Sequence, residues 1–294
     1  MINYTDPIIV IAGPTASGKS SLAIQLAKDI NGYIINADSK QLYKELKIGT
    51  AQPIPDSIRG NTWYIDGVKH FLYGHISVKD SYNIYNYQQD VQKILDDNPH
   101  QTPILVGGTG LYIDCIVYNY DLQKKEDFVC KYSRDELNKM SIEQLQSLIP
   151  KDTLLQLNKS DIKNPIRLIR TIEKGAQSYN KGKPLNFTYY VLNIDQKELE
   201  IRIRDRVEKM FDLGLEEENK ELLKMGLTYD IQALRSIGYQ EFKEYFDGKK
   251  TIQDIKNDIL THTLQYAKRQ KTWFKRNKDC KYINKPLFSS LKAQ

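Results

Sequence analysis

Apolar positions along the chain follow two patterns. Residues 7–12 (PIIVIA), 33–37 (YIINA) and 103–106 (PILV) are continuous apolar, β-branched-rich runs of strand length, and residues 190–194 supply a fourth. Residues 20–30 instead carry Leu22, Ala23, Leu26, Ala27 and Ile30 at helical spacing and stop at Asn31-Gly32. Strands buried on both faces read as continuous apolar runs, and runs of this kind separated by helical segments predict an α/β fold, a parallel sheet flanked by helices. From about 118 to 189 the strands vanish and polar helical text takes over, at 134–149 and 164–176. This predicts an α-helical insertion, residues 118–189, in a core built from 1–117 and 190–294. The C-terminal segments 195–224 and 254–276 are helical and strongly charged, with a short strand expected at 282–284.

At 294 residues, 40% of them apolar and 27% charged, the chain can bury a sizeable core, which excludes disordered and collagen-like classes. No run approaches the roughly 18 apolar residues of a membrane span, and residues 1–7 lack the basic region of a secretory signal. Three cysteines without CxxC spacing (Cys115, Cys130, Cys280) are expected to be free thiols in a reducing cytosol. The four histidines lack metal-ligand spacing and are expected to be structural. The net charge of +6 is uneven: residues 267–285 hold eight Lys or Arg against Asp279, so this segment alone carries +7. A charged run of this kind is commonly a solvated helix face. Trp273 and Phe274 within it favour a polyanion site, because aromatics stack where bases are unpaired.

Residues Gly13, Pro14, Thr15, Ala16, Ser17, Gly18, Lys19 and Ser20 fit GxxxxGK[ST] in full, between a predicted strand and a predicted helix. In that setting backbone N–H groups and the positive helix end hold a di- or triphosphate. Lys19 neutralises an outer phosphate, and the Ser20 hydroxyl is the candidate Mg²⁺ ligand. The motif specifies a phosphate and leaves the reaction open. A hydrolytic NTPase usually carries an acid at the end of a core strand; here residues 103–106 run into Gly107-Gly108-Thr109-Gly110, and Thr109 stands where that acid would be. The carboxylate that ends a core strand is Asp38, at the carboxyl edge where open α/β sheets bind ligands. Asp38 suits either a Mg²⁺ organiser of a small-molecule kinase or a general base.

Five collinear segments then carry a resemblance: GPTASGKSSLA (13–23), NADSKQLYKELKIGTAQP (36–53), LVGGTGLYI (105–113), ALRSIGYQE (233–241) and AKRQKTWFKR (267–276). Together they closely resemble the tRNA dimethylallyltransferases, or tRNA isopentenyltransferases, over nearly the whole chain; without a Cys/His zinc finger after the core, the likeness is to the bacterial type. The resemblance implies a P-loop kinase-like core and a helical insertion gripping the anticodon stem. It implies transfer of a dimethylallyl group from dimethylallyl diphosphate to N6 of the adenosine 3′ of a tRNA anticodon (position 37), releasing diphosphate, in a cytoplasmic, monomeric enzyme with Mg²⁺ as cofactor. It assigns Asp38 as the base that takes the N6 proton, and places Thr109 near the reacting centre with Lys19 and Arg206. Arg202 and Arg206, four apart on one helix face, become a diphosphate clamp, although Glu198 four before Arg202 makes a solvated ion-pair face equally compatible with the spacing. Asp38, Ser39, Lys40 and Gln41 match the loop near the target base. Lys131, Arg167, Arg170 and the run Arg235, Ser236, Ile237, Gly238, Tyr239, Gln240 match segments that touch tRNA. Two stretches depart from the family pattern: residues 67–76 are looser than its His-rich version, and Lys131 falls where Arg is usual.

Two other classes compete on the residues alone. One is a P-loop kinase of a nucleoside or small metabolite, with Asp38 on the acceptor hydroxyl; the other is a nucleic-acid-binding NTPase. The missing acid after residues 103–106 counts against both, and the basic tail counts against the kinase.

Overall fold

In the computed structural model, residues 1–122, 130–174 and 180–284 are described. Lys285 of the basic tail and the end of the predicted insertion helix, 175–176, lie outside them. The chain divides into two compact units, one formed by Tyr120–Gly182 with Met1 and the other by Ile2–Asn119 and Lys183–Gln294.

The larger unit is built on an eight-stranded sheet. Its parallel part comprises β1 (Ile8–Ala12), β2 (Gly32–Asn36), β5 (Val68–Phe71), β6 (Thr102–Gly107), β9 (Phe187–Asn193) and β10 (Cys280–Asn284), in the order β10-β9-β1-β6-β2-β5. All five predicted strands are present, and the one expected at 190–194 begins three residues earlier than its apolar run suggests, because Phe187 and Thr188 extend the ladder beside Ile8 and Ile9. The sheet continues past β5 through two antiparallel strands, β4 (Thr62–Ile65) and β3 (Ser57–Arg59), that the apolar pattern does not predict. Strands this short, with β3 exposed throughout and β4 half-buried, need no apolar run.

Helices cover the sheet. After β1, α1 (Lys19–Asp29) buries Leu22, Ala23 and Ala27 in a cluster with Ile11, Ile34 and Ile104 from three adjacent strands. Asn83 caps α2 (Ile84–Asp97) by accepting the Tyr85 and Asn86 amides, and α3 (Gly110–Val117) follows β6 directly. The predicted charged helix at 195–224 is two helices, α8 (Gln196–Asp212) and α9 (Leu215–Lys224), because Gly214 at φ 92 breaks the turn between them. With α10 (Phe242–Phe246) and the 24-residue α11 (Ile252–Lys275) they enclose a second core of Val207, Met210, Leu215, Phe242, Ile255 and Ile259.

The smaller unit holds α4 (Arg134–Asn138), α5 (Ile142–Ser147), α6 (Lys151–Gln156) and α7 (Pro165–Lys174) around Leu137, Leu145, Ile149, Leu168 and Ile169. The predicted helix at 134–149 is interrupted because Ser141 forms a capping box with Gln144 and starts a new helix. Strands are not wholly missing here: β7 (Tyr120–Asp121) pairs with β8 (Asn180–Lys181). Among the described residues no helix is long and apolar enough to cross a membrane.

Candidate active site

The GxxxxGK[ST] loop leaves β1 and enters α1, at the carboxyl edge of the parallel sheet. There it lines a cavity of about 450 Å³ that Thr15, Ala16, Gly18, Lys19 and Ser20 share with Asp38, Gln41, Arg202, Asp205 and Arg206. Sequence-distant groups expected to handle phosphate and proton are therefore brought to one place. The Lys19 Nζ donates to Pro14 O at 2.7 Å. Burial pushes its pKa down to about 8, an effect opposed by Asp38 and reinforced by Arg206. Arg206 is also shifted down from its ordinary value by burial, with Asp38 opposing, and donates to Thr50 O at 3.0 Å. Lys19, Arg202 and Arg206 outnumber the two carboxylates of the cavity, Asp38 and Asp205, an excess of positive charge that suits an anion. Ser17 in the same loop is 2% exposed, and its hydroxyl has no hydrogen-bond partner among the described residues.

Arg202 does both things its spacing allowed. It pairs with Glu198 on α8, and its Nη1 reaches Ser17 O at 3.5 Å, so it sits at the cavity rim rather than deep within it. Asp205, three residues on, lines the same cavity; an acid between two arginines on one helical face was the available signal.

Asp38 is held by its surroundings. Its amide donates to the Asn36 side chain at 2.9 Å, and its Oδ1 accepts the Lys40 amide at 3.0 Å. Asn36, fully buried, is anchored in turn by donating to Leu72 O at 2.9 Å. Thr109 comes from the neighbouring strand end: its amide donates to Ala37 O at 3.1 Å and its Oγ1 accepts the Ser39 amide at 3.0 Å. Thr109 and Asp38 thus belong to one hydrogen-bonded pair of loops. Lys40 donates to Gln232 O at 3.3 Å, and burial lowers its pKa. Gln41 donates its amide to both Thr50 O and Ala51 O at 3.0 Å, so that group is engaged within the protein.

The 235–240 segment divides. Arg235 and Gln240 are exposed, whereas Ser236 donates to Ala233 O, Ile237 packs in the second helical core and Gly238 is buried. Tyr239 is fully buried; its hydroxyl donates to Glu218 at 2.6 Å and accepts the Gly49 amide at 3.1 Å. Glu218 also accepts the amides of Lys47, Ile48 and Gly49, which fixes the turn presenting Thr50 O to Arg206. In the smaller unit Lys131, Arg167 and Arg170 are exposed, with Arg167 paired to Asp161.

Of the two aromatics in the basic tail, Phe274 cannot stack on a base. Phe274 is fully buried, edge-on to Tyr189, and Trp273 donates its indole N–H to Asp114 at 2.9 Å. Helical spacing turns Phe274 inward as a packing residue, whereas Trp273 stays 37% exposed with its indole N–H tied to α3, alongside the exposed Lys268, Arg269, Lys275, Arg276 and Lys278. Three of the four histidines are engaged by neighbours, His70 with Val68 O, His75 with Asp90 and His262 with Glu241, and His100 is exposed.

Sequence and fold comparisons agree on what this arrangement is similar to. Residues 41–277 match the family model described as IPP transferase. The chain is 39% identical over 276 residues to the tRNA dimethylallyltransferase of Phytoplasma australiense, covering 91% of this chain and 88% of that one. It is 35% identical over 299 residues to the tRNA dimethylallyltransferase of Staphylococcus aureus, covering 96% and 94%. The full-length tRNA isopentenylpyrophosphate transferase of Bacillus halodurans has the same fold, with a TM-score of 0.71 and 28% identity over 95% of this chain and 90% of that one. With the match running through both units and through the loops that form the cavity, the chain belongs to the IPP transferase family.

Proposed function

We propose that this protein transfers the dimethylallyl group of dimethylallyl diphosphate to N6 of the adenosine at position 37 of tRNA, immediately 3′ of the anticodon, with release of diphosphate. The observation that carries the reading is the single cavity joining Lys19, Arg206 and Asp38: two cations for a diphosphate beside one carboxylate for a proton. The phosphate loop and Lys19 hold the diphosphate of the donor, with Arg206 and, from the rim, Arg202. As the carbon–oxygen bond breaks, negative charge builds on the bridging oxygen. Lys19 and Arg206, in a cavity with an excess of positive charge, stabilise it more than they stabilise the ground state. The Thr109 hydroxyl donates to Ser39 Oγ at 3.3 Å and meets the Tyr266 hydroxyl, contacts that a leaving oxygen can replace.

Adenine N6 is a poor nucleophile because its lone pair is delocalised into the ring. As nitrogen bonds to the allylic carbon, Asp38 takes the N6 proton. A stacked base cannot reach a cavity at the sheet edge, so the adenine is extruded from the anticodon loop into it. Exposed basic residues on α11 and on the insertion, Arg167 and Arg170 among them, meet the tRNA phosphates. The Ser20 hydroxyl and the Asp205 carboxylate line the same cavity, hard oxygen donors that suit Mg²⁺. Bound there with the diphosphate oxygens, the ion would supply further neutralisation of the leaving group. The chain acts as a monomer in the cytoplasm.

Nucleoside mass spectrometry of tRNA incubated with enzyme and dimethylallyl diphosphate tests this directly, expecting N6-dimethylallyladenosine at one position. Phosphorylation of a nucleoside from ATP at about 1 per second or faster, with no prenylated tRNA, would instead establish the kinase.

A further inference from the structure

We propose that Gln270 is a positioning residue of the transfer, a side chain that fixes the diphosphate loop against Thr109. The inference rests on the transferase reading given above.

Beyond the sheet the two loops have no ladder to hold them. β1 and β6 are adjacent and end in register at Ala12 and Gly107, so the backbone of Thr15 and Gly108 lies past the last paired residues. Gln270 spans the gap. Its Oε1 accepts the Thr15 amide at 2.8 Å and its Nε2 donates to Gly108 O at 3.0 Å. One loop holds the leaving group, and the other carries Thr109 as its next residue. The requirement is for one acceptor and one donor on the same short planar group, which an amide meets. A carboxylate would face Gly108 O with a like partial charge and bring a negative charge to the diphosphate loop.

Gln270 is 4% exposed, and the contact is too close to be incidental. A Cβ on Gly108 would lie 2.0 Å from Gln270 Nε2, and one on Gly110 would lie 2.2 Å from Trp273 Cδ1. The glycines flanking Thr109 therefore make room for α11. Trp273 bonded to Asp114 of α3 and the fully buried Phe274 anchor the helix one turn beyond this contact. The Tyr266 hydroxyl, one turn earlier, faces the side chains of both Thr109 and Gln270. A group this well buried, whose two bonds go to the two loops that must meet across the reacting atoms, controls their separation. Misplacement by about 1 Å is enough to cost roughly 10²-fold in rate.

The test uses the full chain and tRNA. Gln270→Ala should lower single-turnover kcat about 10²-fold while the dissociation constant of dimethylallyl diphosphate changes much less, with the folded fraction verified by circular dichroism. Gln270→Met, which keeps the volume and removes both bonds, replaces it if alanine does not fold. Gly108→Ala should give the same kcat defect by pushing the intact amide aside. The double variant Gly108→Ala/Gln270→Ala should be no slower than Gln270→Ala alone, because the truncated side chain leaves room for the new methyl. Additive defects, an unchanged kcat, or a loss residing wholly in donor affinity would each overturn the positioning role. If wild-type protein prenylates no tRNA, the transferase reading falls first, and these variants are not needed to see it.

Discussion

Lys19 makes the donor affinity of this protein pH-dependent in a range where dimethylallyl diphosphate itself stays fully ionised. Burial brings the Lys19 ammonium down to about 8 from its ordinary value of 10.5. A diphosphate placed against it favours the charged form and returns the pKa toward or beyond that ordinary value. Only the protonated protein binds well, so affinity follows the protonated fraction of the donor-free enzyme. With a pKa near 8 that fraction falls from about 0.76 at pH 7.5 to about 0.03 at pH 9.5, a loss of about 25-fold in affinity, with the slope of log affinity against pH approaching −1. Binding at pH 9 should be accompanied by uptake of about 0.9 proton. Calorimetric titration with dimethylallyl diphosphate in the absence of tRNA, repeated in buffers of different ionisation enthalpy, measures both. Lys19→Arg, charged throughout, should bind with little pH dependence over the same range. For folding the sign is opposite. The folded pKa is depressed, so the penalty of the buried ammonium is fully present below pH 8 and is relieved as pH rises from 8 to 10.5. A wild-type affinity that is flat from pH 7.5 to 9.5, or binding without proton uptake, would refute the reasoning.

Other perturbations follow from the same geometry. Asp38→Asn keeps the shape but removes the proton acceptor. Turnover should drop by about 10² or more with tRNA and donor binding retained, whereas loss of Mg²⁺-dependent donor binding would make Asp38 a metal ligand. Replacing Lys268, Arg269, Lys275 and Arg276 together by Gln should flatten the slope of log tRNA affinity against log salt, by about 0.9 for each duplex phosphate no longer neutralised or about 0.7 for each single-stranded one; an unchanged slope returns the α11 surface to a solvated face. Glu218→Ala strips acceptors from the Lys47, Ile48 and Gly49 amides and from Tyr239. It should cost about 3 kcal/mol in denaturant unfolding and also raise the KM for the donor, since the turn that holds Arg206 is no longer fixed; a stability loss with unaltered KM would separate that turn from the site.

Contiguous features of this protein are legible along the chain. The phosphate loop is one unbroken motif whose strand and helix flank it directly, and the core strands are continuous apolar runs because both of their faces are covered. Asp38 was legible because it ends such a run. The sheet's antiparallel extension was not, because β3 and β4 are short and half in solvent, with no periodic burial to read. Trp273 and Phe274 stand among charges along the chain, but the period of α11 sets Phe274 on the same face as Ile255, Ile259, Thr263, Ala267 and Gln270, the buried stripe of that helix. That stripe also held the only local signal for Gln270, a polar side chain on an apolar face. Its partners lie 255 and 162 residues away. Whether a glutamine in a charged helix is solvated or joins two loops is decided by which backbone groups the sheet leaves unpaired beneath it, and that depends on β1 and β6 becoming neighbours in the folded sheet.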